Sequence, residues 1–189
     1  MRKSLVAALA LTACVAVSGC MSSPAPSPVP APTFACTPEA GGAEHPCNER
    51  EYHEMKAQDA LYLEAEQVYR AFSRERERVF RAGGEADEQL LSQTHGSATE
   101  AVRDSHADRA RFEGGSISIA WIRRNVGLSR DGSLVSLESC VDASSAAVFV
   151  DGKPDGPGLI VRERSFFGRV NGTLKMVALE YKVVDSCLA

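Results

Sequence analysis

Five side chains in this sequence have the chemistry to move a proton or seat a ligand: Tyr69, His106, Trp121, Asp142 and Tyr181. Acid–base catalysis sets a histidine or carboxylate base against a donor such as a phenol, so His106 or Asp142 facing Tyr69 or Tyr181 is the arrangement to look for. Each residue also has a plainer reading. Asp142 follows a cysteine at a strand end and suits a turn in which its carboxylate accepts from the amides of Ala143 to Ser145. His106 lies in a polar stretch between Asp104 and Asp108, which suits a surface or helix-edge histidine. Trp121 alternates with Ile117 and Ile119 and reads as core. No GxSxG, HExxH, P-loop or dinucleotide fingerprint occurs. No catalytic residue is assigned, and no cofactor or metal is expected.

The cysteines offer thiol chemistry of a different kind. Arg2 and Lys3 precede an uncharged apolar run from Leu5 to Val17, too short to span roughly 30 Å of hydrocarbon, so residues 1–19 read as an export signal. The run ends in Val17-Ser18-Gly19-Cys20, which resembles the bacterial lipobox. That resemblance implies cleavage before Cys20 and a diacylglyceryl group on its thiol. Further acylation would give two or three chains, enough for stable anchoring. The membrane then becomes a partner, reached through the lipid on Cys20 from the extracytoplasmic face. Leu11-Thr12-Ala13-Cys14 is a weaker match to the same pattern, and an ordinary secretory cut is the other reading.

Residues 21–33 hold five prolines and no charge, the composition of an extended polyproline spacer; a ligand for a proline-reading domain is the alternative. Residues 20–35 are thus the lipidated cysteine and linker, and 36–189 the folded domain. Cys36, Cys47, Cys140 and Cys187 remain as an even set in an exported chain and are expected to pair. Of three connectivities, the preferred one joins Cys36 to Cys47 and Cys140 to Cys187, the longer loop contributing on the order of 3 to 4 kcal/mol. Zinc held by Cys36, Cys47, His45 and His53 is the rival, but the Cys-x10-Cys spacing with His-Pro-Cys fits no standard zinc pattern.

These residues must be positioned by the elements around them. From Glu49 to Ala82 no proline or glycine interrupts the chain, and Leu61, Ala65, Val68, Phe72 and Val79 share one helical face. Glu66 with Arg70 and Glu77 with Arg81 have the favourable i to i+4 polarity, and Gly83-Gly84 supplies the stop. The charge run Ser-Arg-Glu-Arg-Glu-Arg reads as a solvated helix face; a basic patch for lipid head groups or anionic wall polymer is the alternative. Shorter helices are predicted at 86–94 and from a Ser97-x-x-Glu100 capping box up to Gly114-Gly115. Helices therefore occupy about 49–113. Beyond that the period changes to two, and strands are predicted near 117–121, 135–141, 146–150, 159–170 and 173–184, a sheet over about 116–187. In the last strand Val177, Leu179, Tyr181 and Val183 alternate with Met176, Ala178, Glu180 and Lys182. Arg130-Asp131-Gly132 and Val170-Asn171-Gly172 are hairpin turns.

With 44% apolar, 24% charged and 6% aromatic residues, the 189-residue chain is neither disordered, collagen-like nor multi-spanning in composition. Its formal charge of −4 becomes −6 once Arg2 and Lys3 leave with the signal, which argues against a nucleic-acid partner.

One long helix, two short ones and a meandering antiparallel sheet resemble the NTF2-like (SnoaL-like, cystatin-like) cone. The chain is similar to actinobacterial lipoproteins of that fold in its Ala60-Leu-Tyr62, Val68-Tyr-Arg-Ala-Phe72, Glu138-Ser-Cys-Val-Asp-Ala-Ser144 and Tyr181-Lys-Val-Val-Asp-Ser-Cys187 segments. The resemblance implies an α+β fold, with N-terminal helices packed in a curved antiparallel sheet and a cavity at its open end. The scaffold hosts binding modules, isomerases and structural domains alike. The expected role is a lipid-anchored module that binds a small apolar ligand or an envelope protein. An isomerase or dehydratase, or a purely structural envelope protein, are the alternatives.

Overall fold

The computed structural model describes residues 33–188; the expected export signal, Cys20 and most of the proline-rich spacer lie outside the described residues. The uninterrupted stretch Glu49–Ala82 is helix throughout, α1. Asn48 caps it: its side chain accepts from the Glu51 amide at 3.0 Å, while the Glu51 carboxylate accepts from the Asn48 amide at 2.9 Å. Gly83 ends it in the left-handed conformation, its amide bonded to the Val79 carbonyl at 3.0 Å. The buried stripe is Tyr62, Ala65, Tyr69, Phe72 and Val79, spaced by three, four, three and seven residues, so all share one helical face. Leu61 and Val68 lie at its margin, partly buried. In front of α1, β1 (Phe34–Cys36) and β2 (His45–Cys47) form a hairpin closed by the Cys36–Cys47 disulfide, with Phe34 stacked on Tyr52 of α1 at 5.0 Å.

The architecture is α+β. Strands β4 (Ser118–Arg124), β5 (Val135–Asp142), β8 (Ile160–Val170) and β9 (Thr173–Val184) form an antiparallel sheet in that order. A second sheet has the order β3 (Arg111–Glu113), β6 (Ala147–Val150), β7 (Lys153–Pro157). The chain runs from β3 into β4, from β5 into β6 and from β7 into β8 with neighbours kept, so the two sheets are successive lengths of one meander, bent between them. A tight turn at Ala143–Ala146 makes the bend, with the Ala146 amide on the Ala143 carbonyl at 2.9 Å. A Cβ on Gly115 would stand 2.1 Å from the Ser145 carbonyl oxygen, and one on Gly158 2.3 Å from that of Ala143, so both positions require glycine.

Several sequence expectations are corrected here. The helix expected at 86–94 is a single turn, α2 (Glu88–Leu91), because residues 93–95 bond to β9 instead. Helix α3 is Ser97–Ser105, shorter than expected, and its Ser97–Glu100 capping box does not form. Gly96 is the N-cap, and the Ser97 hydroxyl donates to Asp131 at 2.7 Å. Strand β7 is not expected from the sequence because it holds Pro154, Gly156 and Pro157; it lies at a sheet edge, where proline is tolerated. Asp131-Gly132 and Asn171-Gly172 have the positive φ pairs expected of tight turns, and Asp151-Gly152 is a third.

In the four-stranded sheet two bulges reverse side-chain faces. Ile119 pairs with Val141 but Trp121 with Cys140, so Trp121 leaves the face of Ile119. Phe166 pairs with Ala178 and Phe167 with Met176, which skips Val177 and puts Met176 on the Leu179 side. Helix α1 and α3 cover the inner face of the four-stranded sheet, where Tyr69, Phe72, Leu90, Val102, Phe167 and Met176 form the core. Among the described residues no helix is long and apolar enough to cross a membrane.

Candidate functional site

Charge enters the core where α1 crosses β8. The α1 stripe is continued between Phe72 and Val79 by Arg76, and the inner face of β8 carries Glu163, only 2% exposed. Glu163 accepts from the Arg76 guanidinium at 2.5 Å through Oε1 and from the Tyr69 hydroxyl at 2.6 Å through Oε2. The Tyr69 oxygen accepts in turn from Ser139 of β5 at 2.6 Å. Arg76 also lies over the Phe72 ring, 5.1 Å from its centre. Burial first, then the Glu163 charge, holds the Tyr69 phenol well above its ordinary range. Burial alone would lower the Arg76 guanidinium, but the adjacent carboxylate more than offsets it and holds it above its usual value. The four side chains satisfy one another, so the cluster fixes the helix to two strands and leaves no Glu163 oxygen free to act as a base.

The residues singled out in the sequence do not converge. Tyr69 is in the cluster. Asp142 sits at the end of β5 and accepts from the Ser144 amide at 2.9 Å and hydroxyl at 2.6 Å, bonds that hold its carboxyl below the usual range. Trp121 is on the outer face, its indole N–H donating to the Cys187 carbonyl at 2.7 Å and its ring flanked by Arg123 and Arg162 at 4.5 and 5.7 Å. Tyr181 pairs with Glu163 across the ladder but is largely exposed. His106 corrects the surface reading: it is 1% exposed, stacked on Phe80 at 4.1 Å. Neither ring nitrogen has a hydrogen-bond partner among the described residues; the Gly84 backbone lies nearby without bonding geometry. Burial, and then Arg76, push the imidazole down to about 4.

Sequence reasoning missed Arg76, Ser139 and Glu163. The signal was a charged residue on an apolar helical stripe and a carboxylate in step with Val161 and Phe167 along a strand. The Cys140–Cys187 disulfide pairs as expected, with Cα atoms 5.6 Å apart, but it does more than join two strands. Cys140 is on β5 and Cys187 lies beyond β9, so the chain after β9 crosses β8 on the outer face to reach the bridge.

Two open clefts follow the seam between α1 and the edge strand β4. One, of about 220 Å³, is lined by Tyr62, Leu63, Glu66, Ile122, Arg124 and Leu137 among others, and the second, of about 230 Å³, by Arg70, Ser73, Arg74, Glu77, Ile117 and Ile119. Neither reaches Glu163. Arg74 has no ion-pair partner among the described residues. Among the described residues no three histidine, cysteine, aspartate or glutamate side chains gather as a metal site. An α+β domain with a closed ionic core and an open helix–strand seam is the class of protein that emerges. No protein-family model, no curated protein and no solved structure matches this chain.

Proposed function

We propose that the protein is a lipoprotein held by acyl chains on Cys20 to the outer face of a bacterial cell membrane, and that its domain binds an envelope protein and catalyses no reaction. The single observation behind the binding role is where polar groups are spent. The buried carboxylate is fully engaged, whereas the accessible clefts along α1 and β4 have apolar floors and, beside the ion-paired Arg70, Arg123 and Arg124, present Arg74, whose charge has no ion-pair partner among the described residues. Such a seam suits a partner segment with apolar and acidic side chains. The leader and Val17-Ser18-Gly19-Cys20 support the anchor. Three helices preceding a meander, together with the bend at Gly115 and Gly158, support reading the domain as an NTF2-like cone.

The test is site-directed cross-linking in the membranes of the bacterium that makes the protein. A photoreactive residue at Leu63, exposed at the first cleft, is expected to give one discrete partner adduct, and one at Glu100 on α3 none. Equal adducts at both positions would defeat the seam. Turnover of small carbonyl or epoxide substrates that vanishes in a folded Glu163→Gln variant would replace the binding role with the isomerase or dehydratase reading.

A further inference from the structure

Strand β9 is a sheet edge, and only part of that edge is used. Near its start the His95 amide donates to the Met176 carbonyl at 2.8 Å, the Met176 amide to Gln93 at 3.1 Å, and the Ser97 hydroxyl to the Val177 carbonyl at 3.2 Å. From Ala178 to Val184 no described residue bonds to the open side. An unpaired edge is a template for another strand. Tyr181 is the midpoint of this free length, and the residues on either side of it are complementary to one another.

An antiparallel pairing of β9 with a second β9 about a two-fold axis through Tyr181 sets Tyr181 opposite itself. Glu180 then faces the second copy's Lys182, Leu179 faces Val183, and Ala178 faces Val184. The glutamate–lysine couples, occurring twice, bring opposite charges together on the outer face. On the inner face the pairing covers Tyr181 and Val183, which are 56% and 52% exposed. Lys182 has no ion-pair partner among the described residues, while Glu180 holds Arg130. Competing registers fail. An axis through Glu180 or Lys182 would set like charges opposite each other, and an odd shift would turn the inner face of one copy against the outer face of the other. The bonds of residues 93–95 at Met176 lie just outside the paired window, so they limit the ladder without blocking it. We infer that β9 is the interface of a symmetric homodimer in which two copies of this chain join their four-stranded sheets edge to edge about Tyr181.

The full-length chain in mild detergent, followed by sedimentation velocity over a wide concentration range, tests this. The wild type is expected to self-associate to a dimer. Glu180→Lys and Lys182→Glu should each weaken that association by at least about tenfold, because each places like charges opposite each other at two points. Lys182→Glu leaves the Glu180–Arg130 pair in place and removes no ion pair among the described residues. An equimolar mixture of the two variants restores both opposite-charge couples, so it should form a heterodimer where neither variant alone dimerises. Three outcomes would overturn the interface: a monomeric wild type, including one whose amides at 178–184 resist hydrogen exchange because the chain covers its own edge; a dimer indifferent to both variants; or a mixture that stays monomeric.

Discussion

The central sheet carries a glutamate–arginine pair on each face, and the two pairs have different surroundings. On the inner face, Glu163 and Arg76 are enclosed by Tyr69, Ser139 and Phe72. On the outer face, Glu138 accepts from Arg123 at 2.6 and 2.9 Å and has Arg164 at 3.8 Å, but both arginine side chains are half exposed. The chemistry is the same and the solvent differs. Water can rehydrate Arg123 if its partner is lost, whereas Arg76 has nowhere to turn. The outer pair belongs to a row across all four strands, Arg123, Glu138, Arg164 and Glu180, in which signs alternate at every step. Such a row selects strand register; the inner pair fixes the helix.

The largest effect should come from Glu163→Ala. It leaves the buried Arg76 guanidinium and the Tyr69 hydroxyl without their acceptor, and chemical denaturation is expected to show a loss of about 4 kcal/mol. Replacing both charges, as Glu163→Leu with Arg76→Met, should recover most of that loss, which would show that pairing rather than charge itself is required. If the single variant is no worse than an exposed pair, the contrast between the faces is wrong.

A second test of the inner side uses pH. His106 titrates near 6.5 when unfolded and near 4 when folded, so the unfolded state binds the proton first. Its contribution is intact above about pH 6.5 and is lost as pH falls toward 4, about 3 kcal/mol over the window. Urea midpoints measured between pH 7 and 4 should fall more steeply for the wild type than for His106→Phe, which keeps a ring against Phe80. Parallel curves for the two proteins would remove His106 as the cause.

The smallest effect belongs to the outer face. Arg123→Ala removes a half-exposed ion pair and a cation over Trp121, together worth about 1 kcal/mol. It should shrink further in high salt, while the Glu163→Ala loss stays nearly constant.

Helix α1 was legible to its ends because its interior lacks breakers and Gly83 follows at once; the disulfides were legible because an even cysteine set left few choices. The capping box was sought at the wrong serine, since Ser97 finds Asp131 and Val177 across space while Asn48, with Glu51 three residues on, does the capping. Bulges defeat alternation: one extra residue after Ile119 sends Trp121 outward, and nothing local to that strand marks it. Arg76 was hidden in the run Ser-Arg-Glu-Arg-Glu-Arg, whose other charges are solvated, and His106 was hidden by Asp104 and Asp108, which point away from the core. In each case burial was decided by a partner element remote in sequence.

The Cys140–Cys187 bridge has a kinetic consequence. Edge strands open first, and a terminal edge strand ordinarily peels from its loose end. Here that end is covalently fastened across β8, and the other end is held by the Asn171-Gly172 turn, by Arg169 with the Glu64 carboxylate of α1 and by residues 93–97 at Met176 and Val177, so β9 has no loose end from which to peel. The β9 amides that bond to β8 near Val183 should therefore exchange more slowly with the bridge intact than after it is reduced, while those beside Met176 should respond little to reduction.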